Sequence, residues 1–177
     1  MIIDVPVLLP NKMKTPKKPP FKYAGSKARM LKKYAASGFL VNEPKMFVDM
    51  FAGSTQVAYW IRQIYPNLPI VINDLNVEMN QLYNIMMKHT KEYQEWGRKF
   101  LQPYLAITPP PKPAISPERK EYYYELRARY REGSFTNPVE ESAMLMFMMR
   151  TNFNGFWGQS KKYPGRYHTS AGNMWWK

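Results

Sequence analysis

The sequence predicts an α/β fold built around one parallel strand–turn–helix–strand unit. Three observations carry that prediction. A short apolar run, Met46-Phe47-Val48, leads into a turn at Asp49-Met50-Phe51-Ala52-Gly53-Ser54. The helical stretch that follows puts Val57, Ala58, Trp60, Ile61 and Ile64 on one face. Pro66 and Pro69 then bracket the exit to a second apolar run, Ile70-Val71-Ile72, with Asp74 just past its end.

Each part has a physical reason. Short apolar runs bounded by turn residues read as buried strands. Gly53 lets the backbone come close to a ligand with no side chain in the way. Ser54 or Thr55 suits the cap of the helix. Asp74 lies 21 residues beyond Gly53. Nucleotide-binding βαβ units use an acid about 20 residues after the glycine turn to bond ribose hydroxyls. Ligands in such sheets sit beyond the carboxyl ends of the strands, where Asp49, Gly53 and Asp74 all fall. No G-x-G-x-x-G fingerprint is present. The stretch therefore also suits a purely structural unit, with Gly53 in a plain turn and Asp74 capping the next helix.

At 177 residues the chain is long enough for one domain, or one domain with an insertion. It has no cysteine, which excludes disulfides, zinc-thiolate sites and thiol nucleophiles. His89 and His168 make no metal-ligand pattern. No apolar run approaches the roughly 20 residues of a membrane span. The start MIIDVPVLLPNK lacks the basic region and cleavage site of a signal peptide, and a cytoplasmic location is expected. The net charge of +13 is unevenly spread. Residues 1–33 carry +8, residues 34–100 are neutral, and residues 101–177 carry +5. The candidate nucleotide unit is thus neutral and its flanks are basic, which suits a polyanionic partner such as DNA or RNA. Solvated helix faces and a solubilising tail give the same arithmetic.

The chain opens on a Lys- and Pro-rich arm, residues 1–19, expected to be extended. Phe21-Lys22-Tyr23-Ala24-Gly25-Ser26-Lys27 then reads as a turn into a helix from Lys27 to Ala36, capped by Ser26. After Asn76, Met79, Leu82, Tyr83, Met86 and Met87 recur at helical spacing and suit a core face. A second helix is expected from Thr90, with Thr90 as its cap. Residues 103–117 hold six prolines and predict an irregular connector. Glu118 to Arg131 reads as a polar, basic helix carrying Tyr122, Tyr123, Tyr124 and Tyr130. Asn137-Pro138 is a cap followed by a first helical residue. The helix it opens buries Ala143, Met144, Leu145, Phe147 and Met148, and delivers Arg150 to its end. The following TNFNGFWGQSKKYPGRYHTSAG reads as a loop or hairpin, with Asn154-Gly155 as its strong turn dipeptide. It interleaves Phe153, Phe156, Trp157, Tyr163 and Tyr167 with Lys161, Lys162 and Arg166. Aromatic rings stack on bases or wedge between them, and cations meet phosphates. A loop packed on its own domain would share that composition.

Four segments together resemble the Dam-type DNA adenine N6-methyltransferases. Phe21 to Lys27 is similar to their F-x-K-W-A-G-G-K motif. Phe47-Val48-Asp49-Met50-Phe51-Ala52-Gly53-Ser54-Thr55 is similar to their F-V-E-P-F-x-G-x-G turn. Asn73-Asp74-Leu75-Asn76 with Leu82-Tyr83-Asn84 resembles A-D-I-N then L-Y-N. Arg150 to Gly155 with Gly165-Arg166-Tyr167 resembles the start and end of their recognition hairpin.

The resemblance implies a partial Rossmann-like, S-adenosylmethionine-dependent methyltransferase sheet with a helical target-recognition insert. It divides the chain into the arm, a cofactor unit at 20–76 and a recognition region at 77–177. Tyr23, Ala24 and Gly25 would enclose S-adenosylmethionine, with Lys27 in support. Asp49 would hold its amino group, Phe51 and Gly53 would shape the pocket, and Asp74 would bond the ribose. Lys22, Arg150, Asn154, Lys161, Lys162 and Arg166 would meet double-stranded DNA. Tyr23 stands where the family has Trp, Met50 where it has proline, and Ser26 and Thr55 where it has glycines. Gly158 stands where the best-matching members carry a base-reading arginine. The family's Asp-Pro-Pro-Tyr catalytic motif does not occur in these 177 residues.

The expected function is therefore an N-terminal portion of a DNA adenine N6-methyltransferase, inactive alone and completed by further chain or a second polypeptide. The competing reading is a non-catalytic remnant that binds DNA, a protein partner or its own copy. An RNA-binding module is a third reading, for which no single-strand-binding motif is present.

Overall fold

The computed structural model describes residues 21, 23–37, 44–108 and 116–172. The chain divides into two compact units. One takes in Gly25–Leu75, and the other takes in Phe21–Ala24 and the chain from Asn76 onward.

The first unit is the predicted strand–turn–helix–strand. Strand β1 (Phe47–Asp49) pairs in parallel with β2 (Ile70–Ile72), in the register Phe47–Ile70, Val48–Val71 and Asp49–Ile72. Helix α2 (Gln56–Ile64) connects them. It buries Ala58, Trp60 and Ile61, as the apolar spacing predicts, and Val57 and Ile64 pack partly buried against the same cluster. Leu31 and Leu68 complete that core, with Phe47 and Ile70 contributed by the strands. The helix predicted from Lys27 is broken in two. Residues Lys27–Arg29 form a 3-10 turn, closed by Met30 N–H donating to the Lys27 carbonyl at 2.7 Å, and α1 covers only Leu31–Ala36. Along β1 the opposite sheet face is bare: Met46, Val48 and Met50 are exposed at alternate positions, beside exposed Val71.

The second unit is mainly helical. Helix α3 (Val77–Lys88) is capped by Asn76, whose side-chain oxygen accepts from Met79 N–H at 3.2 Å. It buries Met79, Leu82 and Tyr83, but Met87, expected on the core stripe, is exposed. Helix α4 (Thr90–Ala106) follows with only His89 between. Thr90 is not its cap. It is the first helical residue, and its hydroxyl donates back to the Met86 carbonyl at 2.7 Å. The helix also runs through Pro103 into the stretch expected to be irregular. The buried Tyr104 explains why. Its ring sits edge-on to Phe147 at 5.3 Å and under the Arg119 guanidinium at 4.8 Å, and this packing outweighs the hydrogen bond that proline removes.

Helix α5 (Pro117–Glu132) is capped by Ser116 and closed by Gly133 in the left-handed region. One side of this polar helix is core, with Tyr123, Leu126 and Tyr130 buried. Helix α6 (Pro138–Thr151) opens as predicted, with the Asn137 side chain accepting from Val139 N–H at 2.9 Å and Glu140 N–H at 2.8 Å. It is buried on nearly every side, Ala143, Met144, Leu145, Phe147 and Met148 included. Strands β3 (Gln159–Ser160) and β4 (Tyr163–Tyr167) pair antiparallel and close the described chain. No helix among the described residues is long and apolar enough to cross a membrane.

Candidate cofactor turn and nucleic-acid interface

In the first unit the chain between β1 and α2 is tied to the chain after β2. The Asn73 N–H donates to the Asp49 carbonyl at 2.8 Å, and Ala52 N–H donates to the Asn73 carbonyl at 2.9 Å. Gly53 N–H then donates to Asp74 Oδ2 at 2.7 Å. Asp74 therefore reaches back to the glycine turn and does not cap α3, a role that Asn76 fills. Gly53 adopts φ +48°, the left-handed conformation glycine takes without steric cost.

Asp49 stands partly buried beside this turn. Burial pushes its carboxyl above the usual range, and the Asp74 charge adds to that. Hydrogen bonds from the backbone of Phe51 and Ala58 act in the other direction. Two carboxylates thus flank a backbone with no side chain at its centre. Such a pair of acceptors fits a ligand bearing both hydroxyls and a cationic amine. The Phe51 ring is 89% exposed beside it.

Thr55 holds the N-cap position of α2 but does not cap it. It sits at φ +54°, and its hydroxyl donates to the Ser54 carbonyl at 2.8 Å. A β-branched residue is strained in that region. Gly25 also has positive φ, and its carbonyl accepts from the exposed Lys27 ammonium at 3.2 Å. Tyr23 and Ala24 belong to the other unit. There the Tyr23 ring meets Phe21 edge-on at 6.2 Å, and Ala24 N–H donates to the Gly155 carbonyl at 3.3 Å. Lys22 lies outside the described residues.

In the second unit the turn after α6 is built on Asn152. Its side-chain oxygen accepts from Gly155 N–H at 2.9 Å, and its amide donates to the Phe156 carbonyl at 2.9 Å and the Tyr167 hydroxyl at 2.5 Å. Asn154 and Gly155 both take positive φ, and Phe156 N–H closes the turn on the Phe153 carbonyl at 3.3 Å. This is the pattern of a type I′ turn. The dipeptide forms the turn expected of it, and that turn precedes the hairpin of β3 and β4. The tip between β3 and β4 is Lys161-Lys162, since Ser160 pairs with Tyr163. The turn presents Phe153 and Phe156, about half exposed, with rings near-parallel at 6.4 Å. Asn154 is exposed beside them, and Lys161 and Lys162 are exposed at the tip.

Two of the predicted DNA-contacting cations are engaged within the unit. Arg166 pairs with Glu141 at 2.6 Å and lies over the Tyr130 and Phe135 rings at 5.7 and 5.4 Å. Burial alone would lower its pKa, but the Glu141 contact prevails and raises it. Arg150 is partly buried next to Tyr93, and burial lowers its pKa. Gly158, at the family's arginine position, is a close approach. A Cβ there would lie 2.7 Å from the His168 carbonyl oxygen, while His168 N–H donates to the Gly158 carbonyl at 2.6 Å.

Residue-by-residue reading missed the supports of this turn. Tyr167 is fully buried, and its hydroxyl lies 3.4 Å from that of Tyr123, which donates to the Thr169 carbonyl at 2.9 Å. Glu78 accepts from the Tyr130 hydroxyl at 2.7 Å and from Tyr167 N–H at 3.4 Å, and burial raises its pKa. The available signal was Tyr123, Leu126 and Tyr130 on α5, three and four residues apart and so on one helical face.

A model of the D12 class N6 adenine-specific DNA methyltransferases matches residues 23–165. The chain is also 22% identical, over 149 residues, to the Type II methyltransferase M.MjaIII of Methanocaldococcus jannaschii, covering 82% of this chain and 49% of that protein. The chain thus spans about half the length of that curated relative. With the family model matching most of its residues, the chain belongs to the D12 class of N6 adenine-specific DNA methyltransferases.

Proposed function

We propose that this chain carries the cofactor turn and the DNA-recognition region of an adenine N6-methyltransferase acting in the cytoplasm. The observation that carries the reading is the hydrogen bond from Gly53 to Asp74 across 21 residues, which sets an acid at the glycine turn between two parallel strands. Asp74 accepts the ribose hydroxyls of S-adenosylmethionine, Asp49 meets its ammonium, and Gly53 leaves room for close approach. Gly25, Lys27 and Phe51, of the same unit, are proposed to contribute to the enclosure. The cofactor supplies an electrophilic methyl group for the adenine amino nitrogen.

The second unit meets double-stranded DNA. Phe153, Asn154 and Phe156 stand forward on a turn pinned by Asn152, and Lys161 and Lys162 meet phosphates. Arg150 is proposed as a further DNA contact, as is Lys22, which lies outside the described residues. Arg166 acts chiefly through Glu141, holding β4 to α6. An adenine must leave the duplex to be methylated, which requires a pocket that grips its Watson–Crick edge. The Asp-Pro-Pro-Tyr segment that does this in the family is not among these residues, so the chain by itself binds without transferring methyl. The bare face of β1 and β2 supports completion by further secondary structure, from additional chain or a second polypeptide, because parallel sheets are covered on both faces.

A methyl-transfer assay tests this. The purified 177-residue chain should leave adenine unmodified, and adding a polypeptide that carries the Asp-Pro-Pro-Tyr segment should restore transfer. N6-methyladenine formed by the chain alone would contradict the division of labour.

A further inference from the structure

We propose that Arg127, Arg131 and His168 form a proton-linked binding site for a backbone phosphate of nucleic acid, with His168 taking up a proton as the phosphate arrives. The natural ligand rests on the DNA-binding reading above, but the site itself stands on its own geometry. Arg127 and Arg131 lie one turn apart on α5 and so share a face. Arg127 is held in place: its Nη1 donates to the Thr169 carbonyl at 2.9 Å, and its guanidinium covers the Tyr124 ring at 4.3 Å. Its Nε is buried and has no hydrogen-bond partner among the described residues. A donor left without an acceptor is an unmet hydrogen bond in the guanidinium, which a small rearrangement toward an anion would satisfy.

The Arg131 Nη2 meets both ring nitrogens of His168, Nε2 at 3.2 Å. Just past β4, the His168 N–H donates to the Gly158 carbonyl at 2.6 Å, which anchors the backbone that carries the imidazole. Among the described residues, the charged groups that act on it are Arg131 and Arg127, both from α5. The hairpin side offers the Gly158 backbone and the Thr169 side chain, neither of which titrates near neutrality. Burial, then Arg131, then Arg127 hold the imidazole below its usual pKa, so it is neutral in the free protein. A neutral imidazole beside two guanidiniums accepts a hydrogen bond and limits repulsion. A phosphate reverses the balance. Its charge satisfies the guanidinium forks and favours the imidazolium, which becomes a third donor. Binding and protonation are then reciprocal: each strengthens the other.

The sequence contains only two histidines, so NMR can follow His168 with His89 as an internal reference. The ring signals of the wild-type chain are titrated with pH alone, with inorganic phosphate, and with a short DNA duplex. Both additions should raise the His168 midpoint and leave that of His89 in place. Duplex affinity at fixed salt should strengthen as pH falls from about 8 to about 6, by up to about tenfold per pH unit for one linked proton. His168→Gln and Arg131→Gln should each flatten that dependence. A His168 midpoint unmoved by phosphate and by duplex would overturn the proposal. Phosphate moving it with no duplex binding at any pH would keep the anion site and overturn the DNA reading.

Discussion

Asp74 Oδ2 accepts the backbone N–H of Gly53 at 2.7 Å, joining the acid after β2 to the turn after β1. The carboxylate is therefore oriented before any ligand arrives. A charge-assisted hydrogen bond of this kind contributes about 1.5 to 3 kcal/mol where it is shielded, and less here because it is only part-buried. Asp74→Asn keeps an acceptor for Gly53 and loses the charge. It should fold with near-wild-type stability and bind S-adenosylmethionine about ten- to a hundredfold more weakly. Thermal unfolding and calorimetry on the same preparation would check both halves.

Thr55 predicts a gain of stability. At φ +54° it occupies a conformation that costs a β-branched residue about 1 kcal/mol or more, and its hydroxyl bonds only to its own neighbour's carbonyl. Thr55→Gly should raise stability by roughly 1 kcal/mol, read as a higher midpoint in denaturant at unchanged slope. A loss of stability would show that the threonine is not strained.

The pH dependence of cofactor binding follows from Asp49. Its pKa in the folded chain lies above the ordinary 3.8. The native state thus holds this proton more tightly than the unfolded state. Asp49 therefore costs stability as pH rises from 3.8 through the raised value. A bound ammonium favours the ionised form, so affinity for S-adenosylmethionine should fall on acidification through that same raised value. Asp49→Asn should weaken binding near neutrality and remove the acid limb of the profile.

Asn152 holds the turn after α6 with three hydrogen bonds, to Gly155, Phe156 and Tyr167. Asn152→Ala strands the Gly155 N–H in a buried position and leaves the Phe156 carbonyl and Tyr167 hydroxyl short of a partner. It should cost about 2 to 4 kcal/mol. On the proposed DNA-binding reading, duplex affinity should fall with it, although Asn152 itself is buried.

What the sequence discloses divides along physical lines. The β1–α2–β2 unit is legible because apolar spacing, a glycine and two prolines all act locally. The caps at Asn137 and the Asn154-Gly155 turn are legible for the same reason. Thr55 and Thr90 misled because a hydroxyl suited to capping also bonds a nearby carbonyl, and only the folded backbone decides. Pro103 misled because the burial of Tyr104, against residues far along the chain, overrides local propensity. The choice between loop and hairpin was left open because the register that puts the tip at Lys161-Lys162 is set by cross-strand pairing, which the dipeptide does not encode. Arg166 read as a free cation because its acid, Glu141, lies 25 residues away.

The central claim is that the turn joining Gly53 to Asp74 is a binding site for S-adenosylmethionine. Calorimetric titration of the purified chain, wild type against Asp74→Ala, tests it most directly. The account predicts saturable binding by the wild-type chain and its loss in the variant, with circular dichroism unchanged. Equal binding by both would show that the cofactor is held elsewhere, and absent binding by a folded wild-type chain would contradict the claim outright.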